Sequence, residues 1–87
     1  ESPRRGLRYV TRKITHTAAR IAAGLDNRLV LGSLDVGRDW GYAPEYVEAM
    51  WRMLQQSTPE DYIVATNRWH HLSELLDIAF RRVGLSW

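Results

Sequence analysis

The chain contains no cysteine. That absence excludes a disulfide-stapled secreted fold and any metal site built on thiolates. No apolar run approaches the roughly 18–20 residues of a membrane span, and no signal peptide is visible. The glycines form neither of the common phosphate-cradling loops. None of the serines (Ser2, Ser33, Ser57, Ser73 and Ser86) stands in a nucleophile elbow. Internal repeats, low-complexity stretches and nucleic-acid-binding motifs are missing as well. Only His16, His70 and His71 offer soft metal ligands, and adjacent His70 and His71 point different ways on most backbones. A zinc site needs three or four converging ligands. The chain opens on Glu1 rather than methionine, so we expect either a processed chain or a longer protein read from within.

What remains is ordinary globular material, 45% hydrophobic and 25% charged. At 87 residues it is one small domain at most, or a piece of a larger one. A compact chain of this size buries only about 60–65% of its unfolded surface. The net charge of +2 hides an asymmetry. Residues 1–28 carry Arg4, Arg5, Arg8, Arg12, Lys13, Arg20 and Arg28 against Glu1 and Asp26, a balance of +5. Residues 29–87 carry five arginines against eight acids, a balance of −3. One end is suited to anions.

Glu1 to Gly6 (ESPRRG) reads as a loop, with Pro3 biasing Ser2 towards an extended backbone. From Val10 the spacing of Val10, Ile14, Ala18, Ile21 and Leu25 predicts a helix, stopped by Gly24 and Asp26-Asn27. Leu29-Val30-Leu31 predicts a brief strand and residues 33–41 (SLDVGRDWG) a loop. Pro44 suits the start of a second helix, where Glu45 and Glu48 favour the positive end of the dipole. Its apolar face is Tyr46, Val47, Met50, Trp51 and Leu54, for which core packing is expected. Tyr62 to Ala65 (YIVA) predicts a buried strand. Leu72, Leu75, Leu76, Ala79, Phe80 and Val83 form the apolar stripe of a third helix that Gly84 ends. Helices alternating with strands predict an α/β layer with parallel pairing. Two short parallel strands need neighbours, which is a first hint of an incomplete unit.

Arg4 and Arg5 follow a Ser-Pro turn, and guanidinium groups bind phosphate through a planar fork. With Lys13 near a helix start, cations and helix-terminal N–H groups can converge on a diphosphate. A solvated basic loop explains the same residues. Arg38 beside Asp39 is either a ligand clamp or a surface ion pair worth under about 1 kcal/mol. Asp35 and Asp39 are weak evidence for paired acid–base carboxylates.

Three stretches sharpen these alternatives: residues 1–14 (ESPRRGLRYVTRKI), 35–56 (DVGRDWGYAPEYVEAMWRMLQQ) and 61–66 (DYIVAT). Together they resemble the GDP-mannose 4,6-dehydratase family of extended short-chain dehydrogenases/reductases, collinearly over the whole chain. The resemblance implies an α/β fold: part of an NAD(P)-binding Rossmann-fold enzyme. Residues 1–87 would span the later Rossmann elements and part of the substrate-binding domain. It implies NADP as cofactor and GDP-mannose as substrate. In the family, a hydride leaves the sugar C4, water is lost across C5–C6, and the hydride returns at C6. By resemblance Arg5 contacts NADP, while Val10, Lys13 and Arg38 contact the GDP-sugar, Arg38 at its diphosphate. The Gly-rich cofactor turn, the Tyr-x-x-x-Lys pair and the proton-transferring Thr and Glu are expected before Glu1, so no catalytic acid or base is expected here. The resemblance further implies a cytoplasmic dimer or tetramer, with no nucleic acid or membrane partner.

The sequence departs from the family pattern near residues 67–77, where Asn67 and Arg68 replace the usual Gly-Glu. Asn tolerates a left-handed backbone better than most residues, so the turn is expected to survive. Two other functions stay open at this point: a related nucleotide-sugar epimerase or reductase, and a free-standing anion-binding domain without catalysis.

Overall fold

The apolar stripes of the first and last helices decide where the core forms. The computed structural model describes all 87 residues. Its elements in chain order are α1 (Val10–Ala22), β1 (Gly37–Arg38), α2 (Ala43–Leu54), β2 (His70–His71) and α3 (Leu72–Arg82). Ile14 and Ala18 of α1 meet Leu72, Leu76, Ala79 and Phe80 of α3 in one buried cluster. Val10, Ile21, Leu75 and Val83 pack half-buried around it. All these positions recur every three or four residues, so each helix turns one face inward. Both helices end alike. Gly24 and Gly84 adopt φ of 75° and 80°, and the following Leu25 and Leu85 amides donate back to the Arg20 and Phe80 carbonyls at 2.8 and 2.9 Å. A side chain at either glycine would strain that left-handed turn.

The strands differ from expectation. Leu29–Leu31 and Tyr62–Ala65 form no ladder. The sheet is the two-residue pair β1–β2, antiparallel rather than parallel, with Gly37 opposite His71 and Arg38 opposite His70. β-Propensity marks a segment fit for a pleated surface, but a strand also needs a hydrogen-bonding neighbour. No element of residues 1–87 supplies one to either apolar run. Leu29 and Leu31 instead pack singly against the core, with Val30 turned out. They line an apolar hollow of about 490 Å³ together with Phe80, Leu85 and Trp87.

The second helix also departs from expectation. α2 forms where Pro44 and Glu45 predict it, and Glu48 pairs with Arg52 at 2.9 Å rather than serving the helix dipole. Yet α2 has no buried residue. Val47, Met50 and Trp51 are more than half exposed and Leu54 is 82% exposed. Tyr46 is half-buried. Core packing of this face is therefore not found within the chain, because no other element covers it. Ile63 is 97% exposed for the same reason.

The molecule is accordingly elongated, 54 × 24 × 20 Å. Its radius of gyration is 16.4 Å, against about 12 Å for a compact domain of this length. Its accessible surface of 7129 Å² exceeds the roughly 5,300 Å² of a compact monomer of this mass. No helix is long and apolar enough to cross a membrane.

Candidate functional site

The basic end is organised around the entry to α1. The Glu1 carbonyl accepts from the Ala43 amide at 2.7 Å, and the Glu1 backbone nitrogen donates to the Gly41 carbonyl at 2.7 Å. The Thr11 hydroxyl donates to the Glu1 carboxylate at 2.6 Å. Residue 1 thus ties the loop before α1 to the loop before α2. Sequence reasoning passed over Glu1 because its partners lie ten and about forty residues away.

Arg5 sits in that loop with its guanidinium 3.9 Å from the centroid of the Tyr9 ring and 3.6 Å from the Glu1 carboxylate. It makes no side-chain hydrogen bond within the chain, and its one ion-pair partner is the Glu1 carboxylate at its Nε. The Arg8 guanidinium lies 5.2 Å from the same ring. Arg5 lines a concavity of about 440 Å³ with Arg12, Thr11, Thr15 and Trp40 among its walls. Val10 is the first residue of α1 and Lys13 lies one turn further on. The N-terminus of α1 has no side-chain cap and no acidic residue in its first turn. The Glu1 carboxylate, held by the Thr11 hydroxyl, is the negative group at this positive end, and Lys13 adds a cation there. Lys13 forms no ion pair. Neither Lys13 nor Arg38 lines the concavity around Arg5.

Arg38 belongs to β1. Its guanidinium donates to the Gly37 carbonyl at 2.7 Å and has no carboxylate partner. The sequence offered Asp39 as that partner. The structure corrects this: the Asp39 carboxylate faces the other way and grips the turn before β2. It accepts from the Thr66 amide at 3.1 Å, from the Asn67 amide at 3.0 Å, and from the Thr66 hydroxyl. The Thr66 hydroxyl, above all, holds the Asp39 carboxyl below its ordinary range; partial desolvation opposes this, and the Asn67 and Thr66 amides and His70 add to the lowering. Asn67 takes φ of 62°, the left-handed turn its side chain tolerates.

The rest of this junction is equally local. The Leu72 amide donates to the Val36 carbonyl at 2.9 Å. Any side chain at Gly37 would collide with the Trp69 indole. His70 and His71 serve as β2 and the entry to α3, and the His71 amide donates to the Glu74 carboxylate at 2.5 Å. The structure therefore places Arg5, Val10 and Lys13 around one helix start, and Arg38 on a separate two-strand clip.

Cations therefore gather at the start of α1, where the Glu1 carboxylate also lies, while Arg38 stands apart from them on β1. The family model for GDP-mannose 4,6 dehydratase matches residues 1–87, and the chain belongs to that family. It is 56% identical over its full length to GDP-mannose 4,6 dehydratase 1 of Arabidopsis thaliana, covering 24% of that protein. It is 51% identical over 98% of its length to GDP-mannose 4,6 dehydratase of Dictyostelium discoideum, again covering 24%. The Homo sapiens enzyme of that name is 49% identical over 97% of this chain, which covers 23% of it. The chain thus spans about a quarter of the length of the curated relatives it matches.

Proposed function

We propose that these residues form part of an NADP-dependent GDP-mannose 4,6-dehydratase, which converts GDP-mannose to GDP-4-keto-6-deoxymannose. The observation that carries this reading is the collinear identity of about half or more over the whole chain with proteins of that name. On this reading the fold around the chain is that of an extended short-chain dehydrogenase/reductase, and the segment joins late Rossmann elements to substrate-binding ones. The assembled enzyme is a cytoplasmic dimer or tetramer.

Each residue has a part in this reading. Arg5 contacts NADP: its guanidinium lies over Tyr9 with Glu1 at its Nε, which leaves the terminal N–H groups for a phosphate oxygen. The chemistry supplied at this site by bound NADP would be reversible hydride storage between the sugar C4 and C6. Val10 and Lys13 meet the GDP-sugar at the start of α1, where the helix N–H groups without a side-chain cap and the ammonium both favour negative charge. Arg38 neutralises the diphosphate. None of these four residues transfers a proton, so the proton-transferring groups of the reaction belong to other parts of the enzyme.

Incubating the full-length protein with NADP and GDP-mannose tests this. A product lighter by one water, with no net consumption of reduced cofactor, supports the reading. An isomer of unchanged mass would assign the protein to the epimerases, and unchanged GDP-mannose with NADP bound would remove the reading. Arg38→Ala is expected to weaken GDP-mannose binding by roughly 1.5–3 kcal/mol, the worth of a charge-assisted contact, while NADP retention stays nearly unchanged. Equal loss of both ligands in calorimetry would contradict the assignment of Arg38.

A further inference from the structure

An arginine that waits for a diphosphate must be kept from a nearer anion. The residue following Arg38 is an aspartate, and adjacent residues of an extended chain project to opposite sides. The structure uses that alternation. The Asp39 carboxylate is engaged by three donors twenty-seven and twenty-eight residues away, the Thr66 amide, the Thr66 hydroxyl and the Asn67 amide. Arg38 is left with only its own Gly37 carbonyl as a partner. On the opposite strand Arg38 is in register with His70, and the Leu72 amide is bonded to Val36. The Arg38 backbone is thus pinned by the ladder before it and by the carboxylate after it.

We infer that Asp39 is a positioning residue for Arg38: by clasping Thr66 and Asn67 it anchors β1 and keeps the neighbouring guanidinium free of a carboxylate, available to the diphosphate of the nucleotide-sugar. The inference rests on the reading of Arg38 as a diphosphate contact. Thr66 supplies the hydroxyl of the clasp and Asn67 the left-handed turn that brings two consecutive amides onto one carboxylate. Loss of the clasp has two effects in one direction. The strand loosens, and any carboxylate left at position 39 can turn to the guanidinium.

The test is a double-mutant cycle in the full-length enzyme, with GDP as the probe and calorimetry as the readout. Asp39→Ala is expected to weaken GDP binding by about tenfold, a hydrogen-bond-sized effect. Thr66→Val, which keeps the shape and loses only the hydroxyl, is expected to weaken it several-fold, and Thr66→Ser to restore it. In an Arg38→Ala background both Asp39→Ala and Thr66→Val are expected to change GDP affinity less than twofold, because they act through Arg38. Equal losses in the two backgrounds would overturn the inference, since the clasp would then be a general structural brace. If Arg38→Ala by itself leaves GDP affinity intact, the reading of Arg38 fails and the positioning role falls with it, a result distinct from the first. Should Asp39→Ala fail to fold, the three Thr66 and Arg38 comparisons decide the question alone.

Discussion

α1 with α3, and α2 with the Tyr62–Ala65 run, carry the same kind of apolar pattern and meet opposite fates. The first pair buries its stripes against each other, with Ile14 fully inaccessible. The second leaves Trp51, Leu54 and Ile63 in solvent. Nothing in the periodicity of α2 separates it from α1 and α3. What separates them is whether a complementary face exists elsewhere in residues 1–87. An amphipathic pattern therefore states a demand for a partner and does not locate one.

The largest effect that could break this comparison is a core truncation. In residues 1–87 alone, Phe80→Ala is expected to cost about 3–5 kcal/mol in urea unfolding, whereas Trp51→Ala costs under about 0.5 kcal/mol. A multi-kilocalorie loss at Trp51 would show that the α2 face packs within the chain after all. Next comes the end of α3. Gly84 has open space around its Cα but φ of 80°, so Gly84→Ala is expected to cost about 1 kcal/mol through backbone strain. A neutral result would mean that the α3 terminus is not held in that turn. A smaller effect belongs to α2. Arg52→Ala removes an exposed pair with Glu48, and its expected cost is under about 0.5 kcal/mol, measurable only as a slight change in helicity.

The junction between the two regions has a pH signature. Asp39 titrates below its usual value of 3.8 in the folded chain. Its contribution is present above the unfolded value and is lost as pH falls through the folded one. The Thr66 and Asn67 amide shifts should therefore titrate together with a midpoint below 3.8. A midpoint above it would exclude the clasp.

The three helices were legible because each has its own periodicity and terminal signals: Gly24, Pro44 and Gly84 stand where the structure uses them. The sheet was not. Two apolar runs with good β-propensity found no neighbour. The strands that do pair are a glycine, an arginine and two histidines, chosen by tertiary proximity rather than by pattern. The site divides in the same way. The basic character of residues 1–28 could be counted, but the assignment of Arg5, Val10, Lys13 and Arg38 to ligands came from resemblance alone. The Asp39–Thr66 clasp was invisible because its halves are twenty-seven residues apart, and Asp39 beside Arg38 suggested the wrong pairing.

Tyr9 has a consequence for the direction in which Arg5 can be approached. With its Cζ 3.9 Å from the ring centroid and Glu1 at its Nε, the Arg5 guanidinium is covered on the side of Tyr9. The terminal N–H groups are reached from the side away from the ring and from Glu1. A lysine at position 5 would match the charge and lose the directionality. The phenol ring thus acts as a wall on one side of that charge.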